Sequence, residues 1–389
     1  MATQCNSVFD ELARGLGGFS CVDAPAVLDL RNPLTLSNWT LPVLELMMVA
    51  VAVAALWYSI GRLRRAGDPT NLALWAATVV YLFCIEIPLY FPNAFGIEDR
   101  IGVVFVHNAF SVQFLFERLP LYIVALYPAV ITLAYEIVRS LGVFRDRGLV
   151  IGAICVGFVH HCLYEVFDQL GPQLRWWAWN TDNPINRPML ASVPMSSMFI
   201  FATLGPVVVT VLVMLLVGRP ARRGRPLGAL RLSWRTLLAG ALVPLGLVVL
   251  SIPTSVFGGP NPRTTAQAVI FGLELAVVAG IAIPVLIQQW YRRRGGYGEE
   301  APNPFVRIFG PLYLAVLAGL WLSALPAYFA AVDGRTSDGT PTGSLLYAVV
   351  CLLAAALAVA AVALPAKVGP PQTVAPGELP DSTGPRPDR

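Results

Sequence analysis

Residues 347–364 read YAVVCLLAAALAVAAVAL. The run carries no charged side chain, and a water-soluble core does not need one like it. At the helical rise, ~20 such residues cross the ~30 Å hydrocarbon layer of a bilayer. The rest of the chain agrees. Of 389 residues, 56% are hydrophobic and 13% charged, with a mean hydropathy of +0.65. A soluble domain carries about 25% charged residues. The composition therefore predicts an all-α, polytopic membrane protein. The net charge of +4 gives no reason to expect a nucleic-acid partner.

Working outward, hydropathy predicts nine spans at 41–61, 71–91, 119–138, 149–169, 193–217, 236–256, 266–290, 308–331 and 345–366. The loops alternate in charge. GRLRRAG (61–67), VRSLGVFRDRG (138–148), GRPARRGRPLGALRLSWR (218–235) and YRRRGG (291–296) each hold three Arg or more. The intervening loops hold two at most. Cytoplasmic loops carry the basic excess. The N-terminus is thus expected outside and the C-terminus inside. An apolar remainder, 101–116, would break the alternation if it crossed. It is read as an outer half-helix or interfacial helix over 101–118, leading into span 3. Three regions follow: an extracytoplasmic N-terminal arm (1–40), a transmembrane helical domain (41–366), and a Pro/Gly-rich cytoplasmic tail (367–389) expected to be disordered. Cys5 and Cys21 lie in the arm, where a disulfide and two free thiols are both open readings. Cys84, Cys155, Cys162 and Cys351 fall in spans as small packing residues.

One apolar span is different. VHHCLYEVFDQ (159–169), at the end of span 4, holds two of the three histidines beside two acids. On a helix, His160, Tyr164, Asp168, His161 and Glu165 fall within an arc of roughly 140°. That face cannot meet lipid, where a carboxylate costs ~3 kcal/mol. Other ionisable groups reach a similar depth. Glu86 lies ~6 Å below the outer end of span 2, and Glu165 about as deep in span 4. The 101–118 segment brings His107, Ser111 and Arg118 to one helical face, with Asn108 and Glu117 nearby. Glu45 and Glu274 can each snorkel or bond a neighbouring Ser or Tyr, Glu117 and Arg118 can pair with each other or reach interfacial water, and Glu136 sits apart at the inner end of span 3. Trp176, Trp177 and Trp179 follow in RWWAWN. They suit an aromatic belt or the wall of a pocket.

This set predicts one polar cavity in the outer half of the membrane. Its catalytic candidates are His161, Glu165, Asp168, Glu86 and His107. Its substrate-binding candidates are His160, Tyr164, Trp176, Trp177, Trp179, Asn108 and Arg118. A histidine beside a carboxylate supplies acid/base chemistry near neutral pH. Two such groups in a dry pocket could protonate an alkene and deliver water. A metal is the alternative use, held by His160, His161, Glu165 and Glu86; no other cofactor is expected. The chain has no P-loop, dinucleotide fingerprint, nucleophile elbow or Asp-rich prenyl-diphosphate motif. ATP-driven transport and nicotinamide redox are therefore not expected.

FERLPLYIVALYPAVITLAYEIV (116–138), the acid-bearing span 4, RWWAWN and VPMSSM (193–198) together resemble integral-membrane carotenoid hydratases of the bisanhydrobacterioruberin-hydratase type. The resemblance covers about residues 100–210. Asp168, Trp177, Trp179 and Pro194 match its pattern. The Gly-x-Pro and Asn-Phe-x-Gly-Trp elements of that family are missing, and spans 6–9 have no counterpart in it. It implies addition of water to terminal double bonds of carotenoids. The Arg- and Ala-rich, Lys-poor composition resembles that of actinobacterial proteins, which implies a bacterial plasma membrane. The leading expectation is a membrane enzyme acting on an isoprenoid, carotenoid or other lipid. The alternatives are a proton-coupled transporter or lipid flippase, and a non-catalytic lipid-binding subunit.

Overall fold

The computed structural model describes residues 6–17, 20, 24–32, 34, 36–224, 227–258, 262–295 and 303–365. Cys5, Cys21 and the tail from Lys367 lie outside the described residues. Among those described, nine helices are long and apolar enough to cross a membrane. They are span 1 (Thr40–Ala66), span 2 (Thr70–Tyr90), span 3 (Leu121–Ser140), span 4 (Gly148–Asp168), span 5 (Ser197–Arg222), span 6 (Ala229–Leu250), span 7 (Thr264–Arg294), span 8 (Pro304–Phe329) and span 9 (Leu345–Ala363). The chain is a multi-pass helical membrane protein.

Local chemistry sets several ends. Span 1 stops at Gly67, whose φ of 63° is open to glycine at no steric cost, and whose N–H caps the Leu63 carbonyl. Asn303 caps span 8 by accepting from the N–H groups of Phe305 and Val306. Span 6 is broken after Ala241, just before Pro244, and resumes at Val243.

Span 3 is the centre of the bundle: 89% of its apolar window is buried, against 67% for span 4 and 11% for span 7. Small residues let the helices approach. A Cβ at Gly157 of span 4 would meet Val207 of span 5 at 2.4 Å, and one at Gly240 of span 6 would meet the Ala77 carbonyl of span 2 at 2.6 Å.

The 101–118 segment is not a helix beyond its first residue. A short helix, Glu98–Ile101, ends there, and three strands follow. β1 (Leu28–Leu30), β3 (Val112–Phe114) and β4 (Leu119–Pro120) form one antiparallel sheet. β2 (Phe105–His107) pairs with β5 (Trp177–Trp179), and β6 (Met189–Leu190) with β7 (Val193–Pro194). All lie in the connections at one end of the bundle, here called the cap. The physical reason is tertiary. VVFVH has β-branched and aromatic residues that suit a strand, but its partner is some 70 residues away. The β3–β4 turn has no glycine: Leu115, Phe116 and Glu117 all sit at φ of 56–57°. Part of the N-terminal arm is folded too. The helix Ser7–Gly17 packs Phe9, Ala13 and Leu16 on Val106.

Candidate functional site

The β2–β5 ribbon sets one wall of the site. Its register puts Phe105 opposite Trp179 and His107 opposite Trp177. Side chains alternate across a strand, so these four share one face while Val106 and Ala178 share the other. The second face packs on the N-terminal helix. The first looks into the bundle. There a cavity of about 30 Å³, room for about one water, is lined by Glu86, His107, Tyr127, Tyr164, Asp168 and Trp177, with further aromatic rings around them.

The polar groups there are half-satisfied. Tyr127 donates to Glu86 Oε1 at 2.7 Å, and Ser197 donates to Asp168 Oδ2 at 2.8 Å. Glu86 Oε2, Asp168 Oδ1 and both indole N–H groups of Trp177 and Trp179 have no partner among the described residues. Buried polar atoms are nearly always bonded, so two acceptors and two donors around one space mark a place for water or ligand. Trp177 owes its seat to Gly171, where a Cβ would overlap the indole at 1.9 Å.

His107 presents a defined nitrogen. Its Nδ1 lies 3.1 Å from the Tyr122 hydroxyl, which lies 2.9 Å from the Trp176 carbonyl. A carbonyl only accepts. Making both bonds requires Tyr122 to donate to Trp176 and His107 Nδ1–H to donate to Tyr122. Nε2 is then the ring's acceptor. Burial pushes the imidazole down to about 3, so it carries no charge at neutral pH.

The expected single cavity is divided. His161 and Glu165 do not line it; they serve the seam between spans 4, 5 and 9. His161 Nδ1 lies 3.1 Å from the Met198 carbonyl and Nε2 lies 2.6 Å from the Tyr347 hydroxyl. Nδ1–H therefore donates, shared between the Met198 carbonyl and Thr203 Oγ1 at 3.0 Å, the latter itself donating to Met198, and Tyr347 donates to Nε2. Gln169 donates to Glu165 Oε2 at 3.1 Å and accepts from Ser344 N–H at 2.8 Å, tying Glu165 to the start of span 9. The reason for the split is angular. The predicted face is too broad an arc for one space, and its two edges meet different helices.

His160 also has a structural partner. Its Nδ1 donates to the Ala202 carbonyl at 2.7 Å. Pro206 has no N–H to give that carbonyl four residues earlier. The stretch Ser197–Leu204 is a π-helix. The proposed metal set does not converge: His160 and His161 are turned to different carbonyls, and among the described residues no three His, Cys, Asp or Glu side chains could hold an ion.

Three other predicted residues lie outside the cavity. Trp176 donates to Thr40 Oγ1 at 2.9 Å and stacks on Phe167. Asn108 donates to Ser37 at 2.8 Å and to the Arg175 carbonyl at 3.0 Å. The Arg118 guanidinium lies over the rings of Phe9 and Phe91, at 4.1 and 4.9 Å. Glu45 takes the expected hydroxyl, accepting from both the N–H and the Oγ of Ser111. Sequence reasoning missed Tyr127 and Ser197, which hold the two carboxylates. No local pattern signals them, because each is defined by a partner on another helix.

At the opposite end, Glu136 makes a different kind of site. Asn71 and Arg139 donate to Oε1, both at 2.7 Å; Tyr58, Asn303 and Arg139 donate to Oε2 at 2.6, 2.7 and 2.9 Å. These side chains come from spans 1, 2 and 3 and the cap of span 8. The carboxylate is saturated, with nothing left for a ligand.

Comparison with protein-family models, curated proteins and solved structures finds no match to this chain.

Proposed function

We propose that the protein is a membrane-embedded enzyme acting by acid/base chemistry on an isoprenoid or other lipid, with hydration of a carbon–carbon double bond as the reaction. One observation carries this reading: Glu86 and Asp168 each leave an unpartnered oxygen at the same small aromatic cavity. General acid/base chemistry needs one protonated and one ionised group about a reacting atom. In the proposed step the alkene end displaces the aromatic side chains that close the space, one carboxyl gives its proton to an alkene carbon, and the π pair becomes the new C–H bond. The cation left on the neighbouring carbon faces the aromatic walls. Water adds to that carbon and loses its proton to the second carboxylate, so one water is consumed overall. His107 Nε2 can orient that water as an acceptor. The resemblance over residues 100–210 points to a carotenoid as the substrate.

The test is the lipid and carotenoid profile of cells lacking the protein. Loss of a hydroxylated species, with accumulation of its alkene precursor, is the expected outcome, restored by the wild-type gene. An unchanged profile would count against the enzyme and for a transporter.

The basic loops support an orientation with the cap on the outer face of a bacterial plasma membrane. In a background with Cys5 and Cys21 replaced, a cysteine at Ser337 in the cap should react with an impermeant thiol reagent in intact cells. Cysteines at the exposed positions Arg64 and Arg222 should not. Labelling at position 222 would invert the map.

A further inference from the structure

Behind the cavity, across the π-helical wall, lies a second and larger space. A cleft of about 930 Å³ opens at the cap end. The wall serves both: Ser196 and Ile200 line the cleft, whereas Ser197 bonds Asp168 and Phe201 lines the cavity. π-Turns inside α-helices recur at functional sites.

The cleft is built like an amphiphile. Its rim is polar, from Glu98, Asp99, Arg100, Asn180, Asp182 and Arg187 of the cap; its floor is apolar, from Ile200 and Phe271. One side is span 7, through Gln267 and Phe271, and another is the segment that follows span 6, through Ser251, Thr254 and Ser255; spans 6 and 7 are the two least buried, with 28% and 11% covered. Span 6 packs on spans 2 and 5, span 7 packs mainly on span 4, and the two meet through the short helix Ile252–Ser255 at the cap.

Two features select the head. Four carboxylates, Glu11, Glu98, Asp99 and Asp182, outnumber two guanidiniums, Arg100 and Arg187. A rim with this excess of negative charge repels a phosphate. Gln267 is only 9% exposed, and its Nε2 donates to the Thr254 carbonyl at 3.3 Å. That bond fixes the amide's orientation, because a carbonyl can only accept. Gln267 lines the cleft, and its Oε1 is then a buried acceptor with no partner among the described residues. It calls for a donor, such as a hydroxyl.

We propose that this cleft binds a neutral, hydroxyl-headed lipid, with its chain against Ile200 and Phe271 and its hydroxyl at Gln267. Binding stands on the cleft's own geometry; that the lipid is substrate or product of the adjoining cavity rests on the enzymatic reading above.

Photolabelling of the full-length protein in nanodiscs tests it, using diazirine-bearing farnesol and the monophosphate of the same probe. The alcohol should label peptides of 196–200 or 251–271 about tenfold more strongly than the phosphate. Ile200→Trp, which fills the floor, should abolish that labelling, and Gln267→Leu should remove the preference for the alcohol. Asp168→Asn should label like wild type. Equal labelling by both probes overturns the headgroup assignment. Labelling spread over all spans, and untouched by both cleft variants, is annular lipid and overturns the site. An enzymatic reading that fails alone leaves a different trace: intact cleft labelling with an unchanged cellular lipid profile.

Discussion

Replacing Glu136 by alanine is expected to destabilise the protein by about 3–5 kcal/mol, the range for removing one partner of a buried charged pair. The carboxylate is fully buried, and Arg139, its charged partner, is itself only 16% exposed. Without Glu136 the guanidinium loses both its acceptors there, and the amides of Asn71 and the hydroxyl of Tyr58 lose theirs. Asn303 keeps its bond to Ser140 and its cap on span 8, so the helix itself should survive. The damage should appear as loosening between spans 1, 2, 3 and 8. Glu136→Gln should fall between alanine and wild type, since the amide keeps one acceptor oxygen. Thermal unfolding in detergent, followed by size exclusion, measures both. A Glu136→Ala protein as stable as wild type would show that the network is a consequence of packing and does not contribute to it.

Asp168→Asn should be the most damaging change to activity, by a factor of about 10²–10⁴, the usual contribution of one general acid or base. The fold should hold. The amide oxygen can still accept from Ser197, and the shape is unchanged. Glu86→Gln should behave likewise, with Tyr127 still donating to the remaining oxygen. Glu165 is the comparison that makes the result informative. It is as buried as Asp168 and one turn away on the same helix, yet it faces Gln169 and span 9. Glu165→Gln should therefore cost far less activity than Asp168→Asn. Turnover of the accumulated lipid precursor by purified variants is the measurement. Equal losses at positions 165 and 168 would mean that the polar face of span 4 acts as one unit after all.

That contrast shows how far the sequence could be read. Span 4 announced itself, because four ionisable side chains in an apolar helix cannot meet lipid. Which way each would turn was not legible. His160 answers to Ala202, freed by Pro206 on another span; His161 answers to Met198 and Tyr347. The 101–118 segment reads as helix because its strands carry no local turn signal. Leu115–Glu117 make a left-handed turn without glycine, and β2 is stabilised by a partner far along the chain.

The sequence by itself determined the nine helices, their limits to within four residues except at the ends of spans 1 and 5 and at both ends of span 6, and the presence of buried polar groups. Length and hydropathy are properties of a contiguous segment, and the bilayer sets one scale for all of them. Only the tertiary structure decided which polar groups share a space. Asp168 joins Glu86 and His107 because the β2–β5 register closes over span 4; Glu165 is excluded because Gln169 ties it to the start of span 9. Hydrogen bonds between helices depend on rotations and crossings of a few ångströms, and no short stretch of this chain encodes them.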